Sequence, residues 1–295
     1  MRLLHAADLH LDSAFRGLTG EKALQRRRES RAVLDAMAEL AGQRQVDAVL
    51  LSGDLFDGDT VYRETMEHLR RSLGAMACPV FIAPGNHDPY HSRSPYRQVD
   101  WPDNVHLFAD PHITYFELPE HNCVIYGAAF TDVRREDHVL HGFTAPAEDR
   151  LQIMCLHGDL HEGPYGPVTE EEIAMSGLDY LALGHVHQCS GLQKAGSTFY
   201  AYPGCPEGRG FDELGEKGVL LIEAERGQAE AEFVPLCRRR YTIVTVDVTG
   251  KDPIEAAETA LRDVPKEDAV RLIFTGETGE RGVDLDAIRT ALLLR

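Results

Sequence analysis

Five times along this chain a short apolar run ends in a tight cluster of aspartate, asparagine or histidine. The clusters are "ADLH" with Asp8 and His10, "SGDLFD" with Asp54 and Asp57, "PGNHD" with Asn86, His87 and Asp88, "CLHGD" with His157 and Asp159, and "LGHVH" with His185 and His187. Each has an ordinary reading alone, as a Gly-Asn turn or a surface histidine. Together they constrain the fold. Carboxylates gathered at the ends of buried strands lose hydration and repel one another, so they need compensating positive charge. In open α/β sheets the carboxyl ends of the strands form the ligand crevice that can bring such residues together.

The rest of the pattern supplies those strands. "RLLHAA" (2–7), "VDAVLLS" (46–52) and "PVFIA" (79–83) read as buried strands. A helix is expected between the first two over 21–45, with Leu24, Val33, Leu34, Met37, Leu40 and Ala41 near helical spacing. A second is expected over 60–76, with Val61, Met66, Leu69 and Leu73 on one side. This βαβαβ order predicts a parallel sheet. Further strands are expected at 112–118, 122–130, 151–156, 179–183, 197–202, 217–223 and 230–236, with a short helix at 169–176 opened by Thr169 and an acidic first turn. The predicted fold class is α/β, a two-sheet β-sandwich flanked by helices. After Arg238–Arg240 a strand (241–248), a helix (252–264), a strand (269–276) and a helix (284–294) follow. These predict a small C-terminal α+β domain, so the expected division is 1–237 and 238–295. The second part ends on an apolar helix, as expected of a partial unit in a longer natural chain.

With 43% apolar and 26% charged residues in 295, one large domain or two smaller ones can bury a core. No apolar run approaches the roughly 18–20 residues of a membrane helix. "MRLLHAADLHLD" is not a secretory signal. Cys78, Cys123, Cys155, Cys189, Cys205 and Cys237 form no CxxC pair, which predicts reduced thiols in the cytoplasm and argues against thiolate-held zinc. A net charge of −18 argues against a general nucleic-acid coat protein. The basic clusters at Arg26–Arg28 with Arg31, Arg70–Arg71, Arg134–Arg135 and Arg238–Arg240 each read most simply as solvated faces.

Seven residues can ligate a cation: Asp8, His10, Asp54, Asn86, His157, His185 and His187. That is enough for two ions if one carboxylate is shared, and a shared carboxylate holds two ions about 3.5–4 Å apart. Nitrogen and oxygen donors without sulfur suit Mn, Fe or Zn better than Ca or Mg.

In this order, "DLH…GDLFD…GNHD…LHGD…GHVH" resembles the signature of the calcineurin-like metallophosphoesterases. "LLHAADLHLDSAFRGL" and "AYPGCPEGRGFDELGEKGVLLIE" resemble the SbcD-type nuclease subunits of double-strand-break repair, bacterial relatives of the MRN-complex nuclease. The resemblance spans residues 1–237, and 238–295 is similar to the start of that family's capping domain. It implies the metallophosphoesterase fold and two ions, usually manganese. Asp8, His10, Asp54 and His187 would hold the first, and Asp54, Asn86, His157 and His185 the second, with Asp54 as the bridge. It implies hydrolysis of DNA phosphodiesters, exonucleolytic on ends and endonucleolytic on single strands, by metal-activated hydroxide with His87 as general acid. Asp57 is implied to orient His87 and raise its pKa. Asp59 is expected to cap the helix that begins near Thr60. The implied partners are DNA, an SbcC-like ATPase and a second copy of the chain. Helix 60–76 is a candidate dimer face, although Met66 and Leu69 would be apolar in a monomer core too, and that simpler reading is preferred. The family's ATPase-docking segment is not evident, and Cys205 stands where a serine is expected after "YPG".

Two other readings compete. A phosphoesterase of small nucleotides or cyclic nucleotides would use the same metals, and the acidic net charge favours it. A non-catalytic scaffold would be expected to have lost ligands, yet the seven ligands, His87 and Asp57 are all present. A protein phosphatase is disfavoured because Gly58-Asp59 stands where that group has Arg-Gly.

Overall fold

The computed structural model describes residues 1–278 and 282–293. The chain starts with β1 (Arg2–Ala6), α1 (Gly20–Arg44), β2 (Ala48–Leu51), α2 (Arg63–Gly74), β3 (Val80–Ile82) and β4 (Val105–Leu107), and the four strands run parallel. β5 (Thr114–Leu118), β6 (Cys123–Gly127), β7 (Leu151–His157), α3 (Glu170–Met175), β8 (Tyr180–Gly184), β9 (Gln193–Ala195) and β10 (Thr198–Ala201) follow. Their strands form a second six-stranded sheet in the order β5-β6-β7-β8-β10-β9. The chain then returns to the first sheet with β11 (Gly218–Glu225) and β12 (Gln228–Pro235), giving the order β12-β11-β1-β2-β3-β4.

Side chains alternate between the two faces of a strand, and both faces of the central strands are covered here. Leu3, Leu50 and Phe81 of the first sheet meet Ile125, Ile153 and Tyr180 of the second in the core between the sheets. Leu4, Val49 and Ile82 point the other way, against Leu34 and Met37 of α1 and Leu69 and Leu73 of α2. Met154, Leu156 and Leu181 form the outer layer of the second sheet with Ile173 of α3. Double coverage is why β1 and β2 read as continuous apolar runs rather than alternating ones. Met66 and Leu69 belong to this core, which is the monomer reading of their helix.

Three expectations need correction. Leu24 is 41% exposed, so the buried stripe of α1 passes instead through Ala23, Arg26, Ser30, Val33 and Met37. Arg26 and Arg31 are buried rather than on a solvated face. Arg26 pairs with Glu29 and with Glu207 at 2.8 Å, and Arg31 with Glu64 at 3.2 Å and Asp12 at 3.5 Å. Asp59 does not cap α2, which starts three residues later than Thr60; its Oδ1 lies 3.1 Å from His91 Nε2. The N-cap position is Tyr62, which makes no side-chain cap, and a distant segment tethers this end of the helix: Asp12 accepts from the Tyr62 amide at 2.8 Å and the Thr65 hydroxyl at 2.8 Å. Local spacing cannot reveal a tether supplied fifty residues away in sequence.

The chain divides into two compact units, Met1–Glu207 with Lys217–Cys237, and Gly208–Glu216 with the chain from Arg238 onward. The expected boundary at 237/238 therefore leaves out one piece of the second unit. The segment 208–216 joins it because Phe211 packs edge-on against Tyr241 at 5.0 Å and under the Arg271 guanidinium at 4.2 Å. In the second unit β13 (Tyr241–Asp247) and β14 (Ala269–Thr275) pair in parallel, with α4 (Pro253–Ala260) and α5 (Leu285–Leu293). Asp252 caps α4 by accepting from the Ile254 and Glu255 amides. The helix expected over 284–294 is α5, with residue 294 outside the described residues. None of the six cysteines forms a disulfide. No helix among the described residues is long and apolar enough to cross a membrane.

Candidate metal centre

The polar clusters meet where the strands end. Beyond β1 and β2 the backbones keep running side by side: the Asp8 amide donates to Gly53 O at 3.0 Å and the His10 amide to Asp54 O at 2.9 Å. This places Asp8, His10 and Asp54 in one layer. Asn86 and His87 follow β3, His157 is the last residue of β7, and His185 and His187 follow β8. Of the eight non-glycine residues with positive φ among those described, four are site residues: Asp8, His10, Asp54 and His185. Such backbone is uncommon for non-glycine residues, Asp and His adopting it more readily than most, and it gathers at functional sites, where surrounding contacts over-determine it. Those contacts include the site's own carboxylates. His185 N donates to Asp8 Oδ2 at 3.1 Å, and His87 N to Asp54 Oδ1 at 2.9 Å. The motif glycines let the loops approach this closely. A Cβ at Gly85 would land on Asp54 Oδ1, and one at Gly53, at φ +86°, on the His157 ring.

All nine residues singled out from sequence come together here. Asp8, His10, Asp54 and His157 are at most 1% exposed. Asp54 Oδ2 lies 3.6 Å from His10 Nε2 and 3.6 Å from His157 Nε2. On one side of it, His10 Nε2 and His187 Nε2 are 3.1 Å apart, and His187 Nε2 is 3.9 Å from Asp8 Oδ1. On the other, Asn86 Oδ1 lies 2.9 Å from His157 Nε2 and 3.2 Å from His185 Nδ1. Ligand atoms converge to within 4.8 Å in the sets Asp8–His10–His187, Asp8–Asp54–His157 and His10–Asp54–His87. Two imidazole nitrogens aimed at each other across 3.1 Å, beside buried carboxylates, make a donor set that fits divalent cations.

The electrostatics agree. Burial pushes the Asp8 carboxyl up against the pull of His157, and Asp54 adds to the rise. Asp54 is buried too, but His157, His10, His87 and the His87 amide outweigh burial and hold it below the usual carboxylate range. His157 rises despite its burial because Asp54 and Asp8 face it. His185 is lowered to about 4 by burial and by His157.

The non-ligating ring nitrogens also have partners. His157 Nδ1 donates to Ser52 O at 2.9 Å, which turns Nε2 toward Asp54 and Asn86. His10 Nδ1 lies 3.1 Å from Asp57 Oδ1, whereas His87 Nδ1 is 3.8 Å from the same oxygen. Asp57, expected to serve His87, is thus nearer to His10. The His87 side chain is 47% exposed, and its ring meets that of His10 edge-on at 4.8 Å.

Several supporting residues carried no sequence signal that separated them from ordinary loop or core residues. Asp88, quoted in its motif without a role, is fully buried and accepts from the amides of Gly85, Asp54 and Phe56 and from the Tyr96 hydroxyl at 2.6 Å. Burial and Asp54 raise its pKa to about 6. Lys217, 4% exposed, donates to His187 O at 3.0 Å. The Cys205 amide reaches the same carbonyl at 3.3 Å, so Cys205 supports the His187 loop.

The sequence profile for calcineurin-like phosphoesterases matches residues 1–189. The uncharacterized metallophosphoesterase YhaO of Bacillus subtilis is 30% identical over 300 residues, covering 95% of this chain and 73% of that protein. The SbcD component of nuclease SbcCD from Escherichia coli K12 is 24% identical over 279 residues, covering 78% of this chain and 67% of that protein. Among solved structures, a dimetal phosphatase from Danio rerio superposes with a TM-score of 0.51 at 13% identity, over 79% of this chain and 99% of that one, a likeness of fold alone.

Proposed function

Because the chain belongs to the calcineurin-like phosphoesterase family, we propose that it is a dinuclear-metal phosphodiesterase that hydrolyses DNA in repair, as an exonuclease on ends and an endonuclease on single strands. The observation that carries the dinuclear reading is Asp54 Oδ2, equidistant at 3.6 Å from His10 Nε2 and His157 Nε2, where a carboxylate shared by two ions would sit. Asp8, His10, Asp54 and His187 would hold one ion; Asp54, Asn86, His157 and His185 the other. The donors suit manganese, with iron or zinc as alternatives. Two bound divalent ions supply neutralisation of the phosphodiester oxygens and a lowered pKa for water. His87 is the general acid. Its own amide holds it against Asp54, and its half-exposed ring can reach a leaving sugar oxygen. Asp57, 3.1 Å from His10 Nδ1 and 3.8 Å from His87 Nδ1, steadies the two rings.

The similarity to the SbcD component of nuclease SbcCD supports a nuclease that works with a second subunit, and DNA as substrate and an SbcC-like ATPase as partner are part of the proposal. The net charge of −18 favours a second reading, a phosphoesterase of small nucleotides. The test is one set of assays with Mn-loaded protein on a labelled duplex, a single-stranded circle and bis-p-nitrophenyl phosphate. Cleavage of both DNAs is expected. Cleavage of the small ester alone would favour the second reading, and no turnover with two ions bound would overturn both.

A further inference from the structure

Tyr165 stands beside the centre without belonging to any of its motifs. It lies in the loop that joins His157 to α3, and this loop is held before any ligand arrives. Arg135 N donates to Pro164 O at 2.8 Å, Gly166 N to Arg135 O at 2.8 Å, Asp159 N to Gly166 O at 3.2 Å, and Val168 N to Asp159 O at 2.8 Å. Gly166, at φ +64°, lets the loop settle against Phe130, whose ring a Cβ would meet at 3.0 Å. Glu162 in the same loop lies 3.6 Å from His138 Nε2.

The tyrosine carried by this pinned loop has its ring 5.3 Å from that of the site residue His185, inclined at 35°. It nevertheless remains 38% exposed. Packing against the histidines is already provided by Phe130, 1% exposed and edge-on to His157 at 5.5 Å. The other exposed tyrosines differ in surroundings: Tyr62 lies against the Arg27 guanidinium at 5.7 Å, and Tyr115 against Tyr126 at 6.0 Å. A fixed, amphipathic ring open to water at the rim of a polar centre has little ordering entropy left to lose on contact with a flat ligand.

We propose that Tyr165 is a stacking platform for the nucleobase beside the phosphodiester held at the centre, and so a specificity-determining residue that favours strands carrying a base there. The inference rests on the DNA reading above. Every base has a π-face, so the preference is for a base over none rather than for one sequence, and stacking of this kind is worth roughly 5- to 100-fold per base.

The experiment measures kcat/KM of the Mn-loaded full chain on two single-stranded oligonucleotides. One carries a normal nucleotide beside the labelled bond, the other a tetrahydrofuran abasic residue, placed on either side in turn. The expected result is a roughly 5- to 100-fold preference for the base on one side. Tyr165→Ala should abolish the preference while leaving abasic cleavage and calorimetric Mn binding unchanged, and Tyr165→Phe and Tyr165→Trp should retain it. Equal cleavage of both oligonucleotides by the unmodified protein would overturn the platform alone. So would an equal loss on both in Tyr165→Ala, weakened Mn binding, or a Tyr165→Phe variant that behaves like Tyr165→Ala. Turnover of bis-p-nitrophenyl phosphate with neither oligonucleotide cleaved would overturn the DNA reading and the platform with it.

Discussion

His5 ties together the two sheets that deliver the loops of the candidate metal centre, and it should do so only while neutral. It sits on β1, three residues before Asp8, with Nδ1 2.8 Å from the Tyr180 hydroxyl and Nε2 3.1 Å from Leu183 O on β8. Nε2–H donates to the carbonyl and Nδ1 accepts from the tyrosine, the arrangement of a neutral imidazole. Complete burial lowers its pKa from 6.5 to about 3. The folded pKa is below the unfolded one, so between these values the unfolded chain binds one more proton and stability falls as the pH falls. One proton of difference changes stability by about 1.4 kcal/mol per pH unit. Between pH 7.5 and 5.5 only the unit below 6.5 counts, which gives about 1.4 kcal/mol for His5. The perturbation is His5→Gln, which keeps a donor and an acceptor but cannot protonate; its packing cost is the same at both pH values and cancels. The assay is urea unfolding of both proteins at pH 7.5 and 5.5 without divalent metal. The unmodified protein should lose about 1.4 kcal/mol more than the variant over this interval. A stability difference that does not change with pH would refute the neutral, sheet-tying His5.

Two further substitutions probe the centre. His87→Gln should lower turnover of bis-p-nitrophenyl phosphate by roughly 10²–10⁴-fold while calorimetric Mn binding keeps its stoichiometry; retained turnover would remove His87 as the acid. Asp57→Asn should weaken Mn binding by about 10–100-fold if the carboxylate mainly holds His10, as the 3.1 Å contact indicates. Unchanged Mn binding with an altered pH–rate profile would return Asp57 to His87, and no change in either would leave it without a role in the centre.

The longer strands, the helices and the polar clusters at the strand ends were legible because each is written locally, whereas β4 and β9, three residues each, were not read from the sequence. Apolar runs mark the buried strands, and the residue after each run is already where the chain must turn, so "GD", "GN" and "GH" identify the loops that carry Asp54, Asn86 and His185. Periodicity places α1 to within a residue, but it put Leu24 inside and the two arginines outside. A charged side chain is buried only when a partner arrives from elsewhere, and Glu207 and Asp12 are far from Arg26 and Arg31 in sequence.

The sequence alone therefore determined the longer strands and the donor chemistry of the clustered side chains, because strand pattern and side-chain chemistry reside in adjacent residues, and it left out the three-residue β4 and β9. Only the tertiary structure decided who serves whom. It moved Asp57 toward His10, took Asp59 from α2 to His91, tethered the start of α2 to Asp12, and made Asp88 the acceptor that joins two loops. It also brought Gly208–Glu216 into the second unit. The physical reason is the same in each case. A carboxylate takes the donor that comes within about 3 Å, and which donor comes that close is set by the packing of segments distant in the chain.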